Sequence, residues 1–263
     1  MTFSVFLTIS GLNKEGEIRM KRLLLAVITL STLCVKAGKS AESTTPQFYA
    51  GVSVGHDRMT AKRTEQTTTN DETLFFSNKK TQSSNSINGK LIAGFLWTIP
   101  NTAFALSPEI YVGQGNAQVT EQEKATEPTG PQDVSLHSSY KQKTIMGIIL
   151  RMGVYLTNKQ NDFLYVLLGT EKSKFENKFT YSSAGAVGRD TLFKKRNKFL
   201  KSPVYGAGFE HKFDRFKIGI DCRYTNYSSW NNYSIEAPVT NDELKKDFKP
   251  KIVTTSLTFC YLF

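Results

Sequence analysis

The chain closes on Val253-Thr254-Thr255-Ser256-Leu257-Thr258-Phe259-Cys260-Tyr261-Leu262-Phe263, a run that alternates with a period of two. Leu257, Phe259, Tyr261 and Phe263 share one face, and Thr254, Ser256, Thr258 and Cys260 share the other. Successive side chains of a β-strand point to opposite faces. A greasy outer face over a small polar inner one is what a strand needs when lipid wets one side only. Any half-buried strand alternates, so the reading depends on how many more such segments the chain holds.

Seven more are legible. The first places Phe48, Ala50, Val52 and Val54 outward against Tyr49, Gly51, Ser53 and Gly55, and the second places Leu91, Ala93, Phe95 and Trp97 outward against Lys90 and Gly94. In the third, Phe104, Leu106, Ile110 and Val112 oppose Ser107, Glu109 and Gly113. The fourth, from about Ser139 to Leu156, puts Met146, Ile148, Leu150, Met152 and Val154 out and Lys141, Lys143, Gly147, Arg151 and Gly153 in. The fifth exposes Leu164, Val166 and Leu168 over Gly169 and Glu171, and the sixth exposes Tyr205, Ala207 and Phe209 over Gly206, Gly208, Glu210 and Lys212. The seventh has Phe216, Ile218, Ile220 and Tyr224 out and Lys217, Gly219, Asp221 and Arg223 in.

The connections alternate in length. Turn formers mark short links at Pro100-Asn101, Asn158 to Asp162 and Asp214-Arg215. Long polar segments at about 60–86, 120–138, 180–199 and 230–248 read as loops. Short turns on one side and long loops on the other are the two sides of a membrane barrel, and an even strand count puts both termini with the short turns. A soluble lipocalin-like barrel or sandwich also alternates, but it would have short loops and turn its aromatics inward.

The opening FYAGVSVG (48–55), the segment Ala93 to Phe95, the pair YGAGFEHKF (205–213) and FKIGIDCRYTNY (216–227), and the terminal YLF resemble the eight-stranded OmpA, OmpX and Opa-like outer-membrane barrels. The resemblance covers residues 47–263 and implies an all-β, eight-stranded, antiparallel up-and-down transmembrane β-barrel. It also implies that Phe259, Tyr261 and Phe263 form the terminal signal read by the barrel-assembly machinery. That family includes structural anchors, adhesins, narrow pores and a few enzymes, so it implies a fold and leaves the function open. With Phe263 as the end, a wall-binding domain is not expected after the barrel.

Met20 opens a complete secretory signal: Lys21 and Arg22 are the positive region, Leu23 to Leu33 the apolar core, and Val35 and Ala37 the small-residue cleavage positions. The apolar run is short of the about twenty residues that a membrane helix needs. Cleavage after Ala37 leaves a short periplasmic segment, 38–46, before the barrel. Cys34 follows Leu33, where lipoprotein signals carry a smaller residue, so lipidation there is not expected. Residues 1–19 precede this signal, and Lys14 to Arg19 back-translate to a purine-rich element just ahead of the Met20 codon. They read as an upstream mis-start extension.

The chain has 263 residues, a formal charge of +11 and 12% aromatics, and its mean hydropathy is negative. Barrels average as polar because half of each strand and all loops are polar. The basic balance suits phosphorylated lipid, and export excludes nucleic acid as its partner. Cys222 and Cys260 face opposite ways, which disulfide geometry forbids, so both are expected to be free.

Five inward charges, Glu109, Arg151, Glu171, Asp221 and Arg223, fall at similar depth and are expected to form a lumen ion network, because an isolated charge there is costly. Lys194, Lys195, Arg196, Lys198 and Lys201, with a second run at Lys245, Lys246, Lys249 and Lys251, are candidates for contact with lipopolysaccharide phosphates. Leu74, Phe75 and Phe76 form an apolar patch in the first long segment, expected to tuck onto the barrel mouth. His56 and His211 are single histidines near barrel ends, and no metal-ligand cluster, phosphate loop or cofactor site is legible. His137 and Ser139 share a face, as the catalytic pair does in lipid A deacylating barrels, but SLHSSYK lacks the accompanying residues. The expectation is a non-enzymatic outer-membrane surface protein whose four outer loops meet a host or environmental ligand while ion pairs close the lumen. A narrow small-solute channel and a lipid A-modifying enzyme are the alternatives. Mass spectrometry of the cellular protein is expected to find no peptide from Thr2 to Arg19, and such a peptide would place the start at Met1.

Overall fold

The computed structural model describes residues 46–68, 78–126, 133–157, 160–185, 188–236 and 243–263. The expected extension, signal, periplasmic segment and the patch at Leu74, Phe75 and Phe76 lie outside the described residues, apart from Pro46 of that segment. Ten strands appear in chain order: β1 Gln47–Thr68, β2 Asn78–Thr98, β3 Phe104–Gln114, β4 Gln118–Thr126, β5 Asp133–Tyr155, β6 Asp162–Gly185, β7 Gly188–Phe213, β8 Phe216–Asn226, β9 Trp230–Glu236 and β10 Glu243–Leu262. Every pairing is antiparallel, in the order β1-β2-β3-β5-β6-β7-β8-β10, and β1 pairs with β10 to close the ring. β4 continues β3 along β5, and β9 continues β8 along β10. The architecture is therefore an eight-stranded up-and-down transmembrane β-barrel, closed by the β1–β10 pairing.

Three tight turns bind the lower end. Each holds one residue with positive φ: Asn101 at 58°, Gln160 at 55° and Asp214 at 49°. Asn and Asp tolerate this left-handed region better than most residues. The β2–β3 ladder pairs Gly94 with Glu109 and then Trp97 with Leu106. Between those rungs lies Pro108, which has no N–H to donate.

The outward parity read from the sequence holds along the lower halves. Phe48, Val52, Val54, Leu91, Ile110, Ile148, Ile220 and Leu257 are exposed on the outer wall. Below this belt an aromatic girdle runs through Phe216, Phe259, Tyr261 and Phe263, with ring centroids 5.1–5.5 Å apart. Phe48 and Phe95 add a tilted pair at 6.0 Å. Aromatic girdles belong at the water interfaces of a membrane barrel.

The long polar segments are not chiefly loops. β6 and β7 run for 24 and 26 residues in register from Asp162↔His211 to Gly185↔Gly188. At about 3.3 Å per residue β6 is roughly 80 Å long, whereas about 9–11 tilted residues cross the membrane. The barrel wall therefore projects well beyond the belt. In that projection the two faces exchange character: Met59, Ala61, Phe175, Leu200, Phe248 and Ile252 are buried inside, while Arg58, Lys62, Lys178 and Lys249 face out. Water replaces lipid outside, so the pattern becomes that of a soluble barrel, and a search for apolar-out alternation fails there although the strand continues.

Lys141 and Lys143 are also corrected. A register shift between Gln142 and Ile145 turns Tyr140 and Gln142 into the lumen, so both lysines face out and are half-buried. An extra residue in one strand reverses the facing of everything beyond it. Leu257→Arg, at mid-belt, is expected to destabilise the barrel in phosphatidylcholine vesicles by about 2–4 kcal/mol, and Thr60→Arg, above the belt, by about 0–1 kcal/mol. Urea titration followed by the heat-dependent gel shift measures both.

Candidate functional site

Eight strands leave an interior that side chains can fill. At mid-depth it is filled by charge. Arg151 Nη2 lies 2.5 Å from Glu109 Oε2, and Arg151 Nη1 lies 3.1 Å from Glu210 Oε2. Glu210 also holds Lys217 at 3.0 Å. Arg223 donates from Nε and Nη2 to the two carboxylate oxygens of Asp221 (2.7 and 3.0 Å) and stands 3.6 Å from Glu109 Oε1. Lys217, Glu210, Arg151, Glu109, Arg223 and Asp221 thus form one unbroken run across β3, β5, β7 and β8, with every member buried.

Four of the five expected network residues lie in this run. The fifth, Glu171, is buried beside it but accepts hydrogen bonds from Tyr111 Oη (2.8 Å) and Tyr227 Oη. Gln142 Nε2 donates to Tyr227 Oη at 3.1 Å and extends that branch. Glu210 and Lys217 belong to the run although both lie only a few residues from the Asp214-Arg215 turn. Depth counted along each strand misses them, because strand tilt and the length of Arg151 bring residues of unequal count together. With Lys90, the buried lumen set holds four cations (Lys90, Arg151, Lys217, Arg223) against five carboxylates (Glu109, Glu171, Glu210, Asp221 and Asp57). Opposite charges in near-equal number limit the uncompensated charge that a desolvated cluster carries. Asp57, higher on β1, is held by Asn88 Nδ2 at 2.6 Å and Thr254 Oγ1 at 2.5 Å.

Tyrosine faces complete the cation contacts. Lys217 Nζ is 3.2 Å from the Tyr49 ring centre, the Arg151 guanidinium 5.0 Å from that of Tyr165, and Arg223 and Lys90 lie 5.3 and 5.1 Å from that of Tyr111. Glycines make room for these rings. A Cβ on Gly94 would sit 2.7 Å from Tyr49 Oη, and one on Gly208 2.5 Å from Tyr165 Oη, closer than such contacts allow. Tyr49 Oη in turn donates to Glu109 at 3.1 Å.

Apolar side chains pack above the charged run and beside its lower end, where Phe163 is the ladder neighbour of Glu210 and Cys260 of Lys217. Above, Tyr140 stacks on Phe248 at 4.0 Å, Phe175 meets Tyr227 and Phe248 edge-on, and Trp230, Met59 and Ile252 fill the remainder. Below, Tyr155, Phe163 and Tyr165 pack in sequence at 5.3 Å, with Leu96, Cys260 and Leu262 around them. Cys260 is buried and Cys222 exposed on the outer wall, and both are free, as expected.

Lys195, Lys198 and Lys201 are exposed, Arg196 is half-buried, and the Lys194 side chain lies outside the described residues, as do those of Lys245 and Lys246. Lys195 Nζ is 3.1 Å from Glu176 Oε2, with Lys143 and Lys178 each 3.8 Å from Glu176 Oε1. Burial pushes the Glu176 carboxyl up, but the Lys195 hydrogen bond and the three ammonium charges outweigh it and hold it below the usual carboxylate range. His137 is exposed; Ser139 Oγ is engaged by Gln118 Nε2 at 2.9 Å. His56 is exposed, and His211 Nδ1 is paired with Asp162 at 2.6 Å near the lower rim. Among the described residues no group of three His, Cys, Asp or Glu is placed to hold a metal.

No protein-family model matches the chain. No curated protein matches it either. Solved structures similar to it include Ail, the attachment invasion locus protein of Yersinia pestis (14% identity, 82% of this chain and 98% of that one, TM-score 0.33). They also include the outer-membrane protease OmpT of Escherichia coli (10%, 85% and 100%, 0.42) and Neisserial surface protein A (13%, 77% and 95%, 0.21). The ring is closed by the chain's own β1–β10 pairing.

Arg151→Ala leaves Glu109 and Glu210 facing each other without their shared cation. It is expected to cost about 3–5 kcal/mol in urea unfolding. Adding Glu109→Gln is expected to recover part of that loss, and full additivity of the two changes would contradict the pairing.

Proposed function

We propose that this protein resides in an outer membrane as a barrel with a closed lumen, and that its working surface is the exterior and rim of the projecting half. The observation that carries this reading is the filling of the lumen: buried charge runs from mid-depth to the lower end, where Glu210 and Lys217 are the ladder neighbours of Phe163 and Cys260, packed among apolar side chains and covered above by the cluster of Tyr140, Phe248 and Trp230. A conducting pore needs an open polar path, and side chains fill this one. The membrane location is supported by the lipid-facing belt and the girdle at the end that carries both termini of the barrel.

The role is structural and interactive, with a host or environmental ligand engaged at the rim, and no reaction is assigned to it. His137 and Ser139 are assigned no hydrolytic role; Ser139 Oγ accepts a hydrogen bond from Gln118 Nε2. Phe259, Tyr261 and Phe263, gathered in one ring stack on the lower outer wall, are assigned to recognition by the barrel-assembly machinery during insertion.

Single-channel recording in a planar bilayer tests the closed lumen. The refolded barrel is expected to be silent, and Arg151→Ala to remain silent because the aromatic cluster above the charged run survives the substitution. Stable openings in the unsubstituted protein would make it a narrow channel. Openings only in Arg151→Ala would make the charged layer the sole barrier.

A further inference from the structure

The exterior of β5, β6 and β7 just above the apolar belt carries more positive charge than the sheet neutralises, and we propose that it docks the phosphorylated headgroup of an outer-leaflet lipid. The proposal rests on the outer-membrane reading above. Lys172 of β6 stands directly opposite Lys201 of β7, and Lys178 opposite Lys195. Like charges directly across a ladder weaken it. The register shift that turns β5 over brings Lys141 and Lys143 onto the same face. Glu176, the carboxylate this face presents among the described residues, is already shared by Lys143, Lys178 and Lys195.

Position selects the partner. Met146 of the belt is the ladder neighbour of Lys172, whose other neighbour is Lys201, so this row of ammoniums begins where lipid contact ends. Lys172 Nζ also lies 4.7 Å from the ring of Phe199, exposed in the adjacent row. A lipid whose chains lie on the belt would hold its phosphates at this level. At the same height the β2–β4 side presents Asn85, Gln114, Asn116 and Gln118, so the charge is not a uniform solubilising coat. A second basic group at Arg58, Lys62, Lys249 and Lys251 is accompanied by the exposed Asp247. Phosphate on an ammonium cluster at a membrane edge is favourable, and salt screens it.

The test uses the folded barrel in an uncharged detergent, with retained lipid counted by native mass spectrometry. Bisphosphorylated lipid A is expected to bind on the order of tenfold more tightly than its dephosphorylated form, and less so at 0.5 M salt. Lys172→Gln with Lys201→Gln is expected to abolish the preference. Lys172→Arg with Lys201→Arg is expected to keep it, as is Lys212→Gln with Arg215→Gln, an equal charge change at the lower rim. Equal binding of the two lipids, or a preference untouched by the glutamine pair, would overturn the proposal. Tighter retention of a soluble sulfated oligosaccharide than of lipid A would overturn it in favour of a soluble polyanion. Insertion into phosphatidylcholine vesicles is scored on the same preparation: failure there refutes the membrane reading, whereas insertion without phosphate preference refutes the docking surface alone.

Discussion

Arg151, held between Glu109 and Glu210 in a space closed to water, is the contact around which the lumen is arranged. A desolvated guanidinium is tolerable only with compensating charge. The two carboxylates that supply it come from β3 and β7, on either side of β5 and β6. Satisfying Glu109 then brings in Arg223, and satisfying Glu210 brings in Lys217. Each added cation is met by a carboxylate or an aromatic face, until six of the eight ring strands share one cluster. The glycines follow from the same requirement: the tyrosines that cover the cations need bare backbone beside them. A polar interior therefore dictates small residues as well as charged ones.

A second constraint runs along the strand rather than across it. Except at the β5 register shift, the backbone keeps one parity from the lower turns into the projection, while the medium outside changes from lipid to water. Side chains must exchange roles at that boundary. On β1 the inner row passes from Ser53 and Asp57 to Met59 and Ala61, and on β10 from Ser256 and Thr254 to Ile252 and Phe248. The projecting half thus has an apolar core of its own, stacked on the charged layer. Where strands must also break, β3 hands over to β4 through Gly115 N to Lys143 O and Gln142 N to Ala117 O, at the level where β5 shifts register.

The lower barrel was legible because lipid imposes a one-sided rule on every strand. Eight strands, their facings and the ring closure all follow from it. The same rule concealed the upper half, since Lys178, Lys195 and their neighbours read as loop when apolar-out alternation is sought. Threonine-, serine- and lysine-rich stretches form ladders there because the partner strand is already in place across β6 and β7. The charged site was half legible: parity turned Glu109, Arg151, Asp221, Arg223, Glu210 and Lys217 inward, but depth counted along each strand left Glu210 and Lys217 out of the network. Which inward charges meet depends on tilt and side-chain reach, neither of which a count of residues contains. The upper aromatic cluster had a signal that was available, the inverted period of two in Met59-Thr60-Ala61 and Phe248-Lys249-Pro250.

A filled lumen moves the functional question to the outside, and the form of the wall then matters. Flexible loops must lose conformational freedom when they bind, whereas a ladder presents its side chains already ordered. The β6–β7 pair keeps one register along its whole length, so Lys172, Lys201, Lys178 and Lys195 are held at fixed spacings above the belt. Opposed lysines on such a wall cannot drift apart to relieve their repulsion as they would on a loop. That stored repulsion weakens the hairpin in isolation and favours any multivalent anion that spans the pairs. The closed interior, which supplies the rigidity, and the basic exterior, which uses it, are in this sense two faces of the same strands.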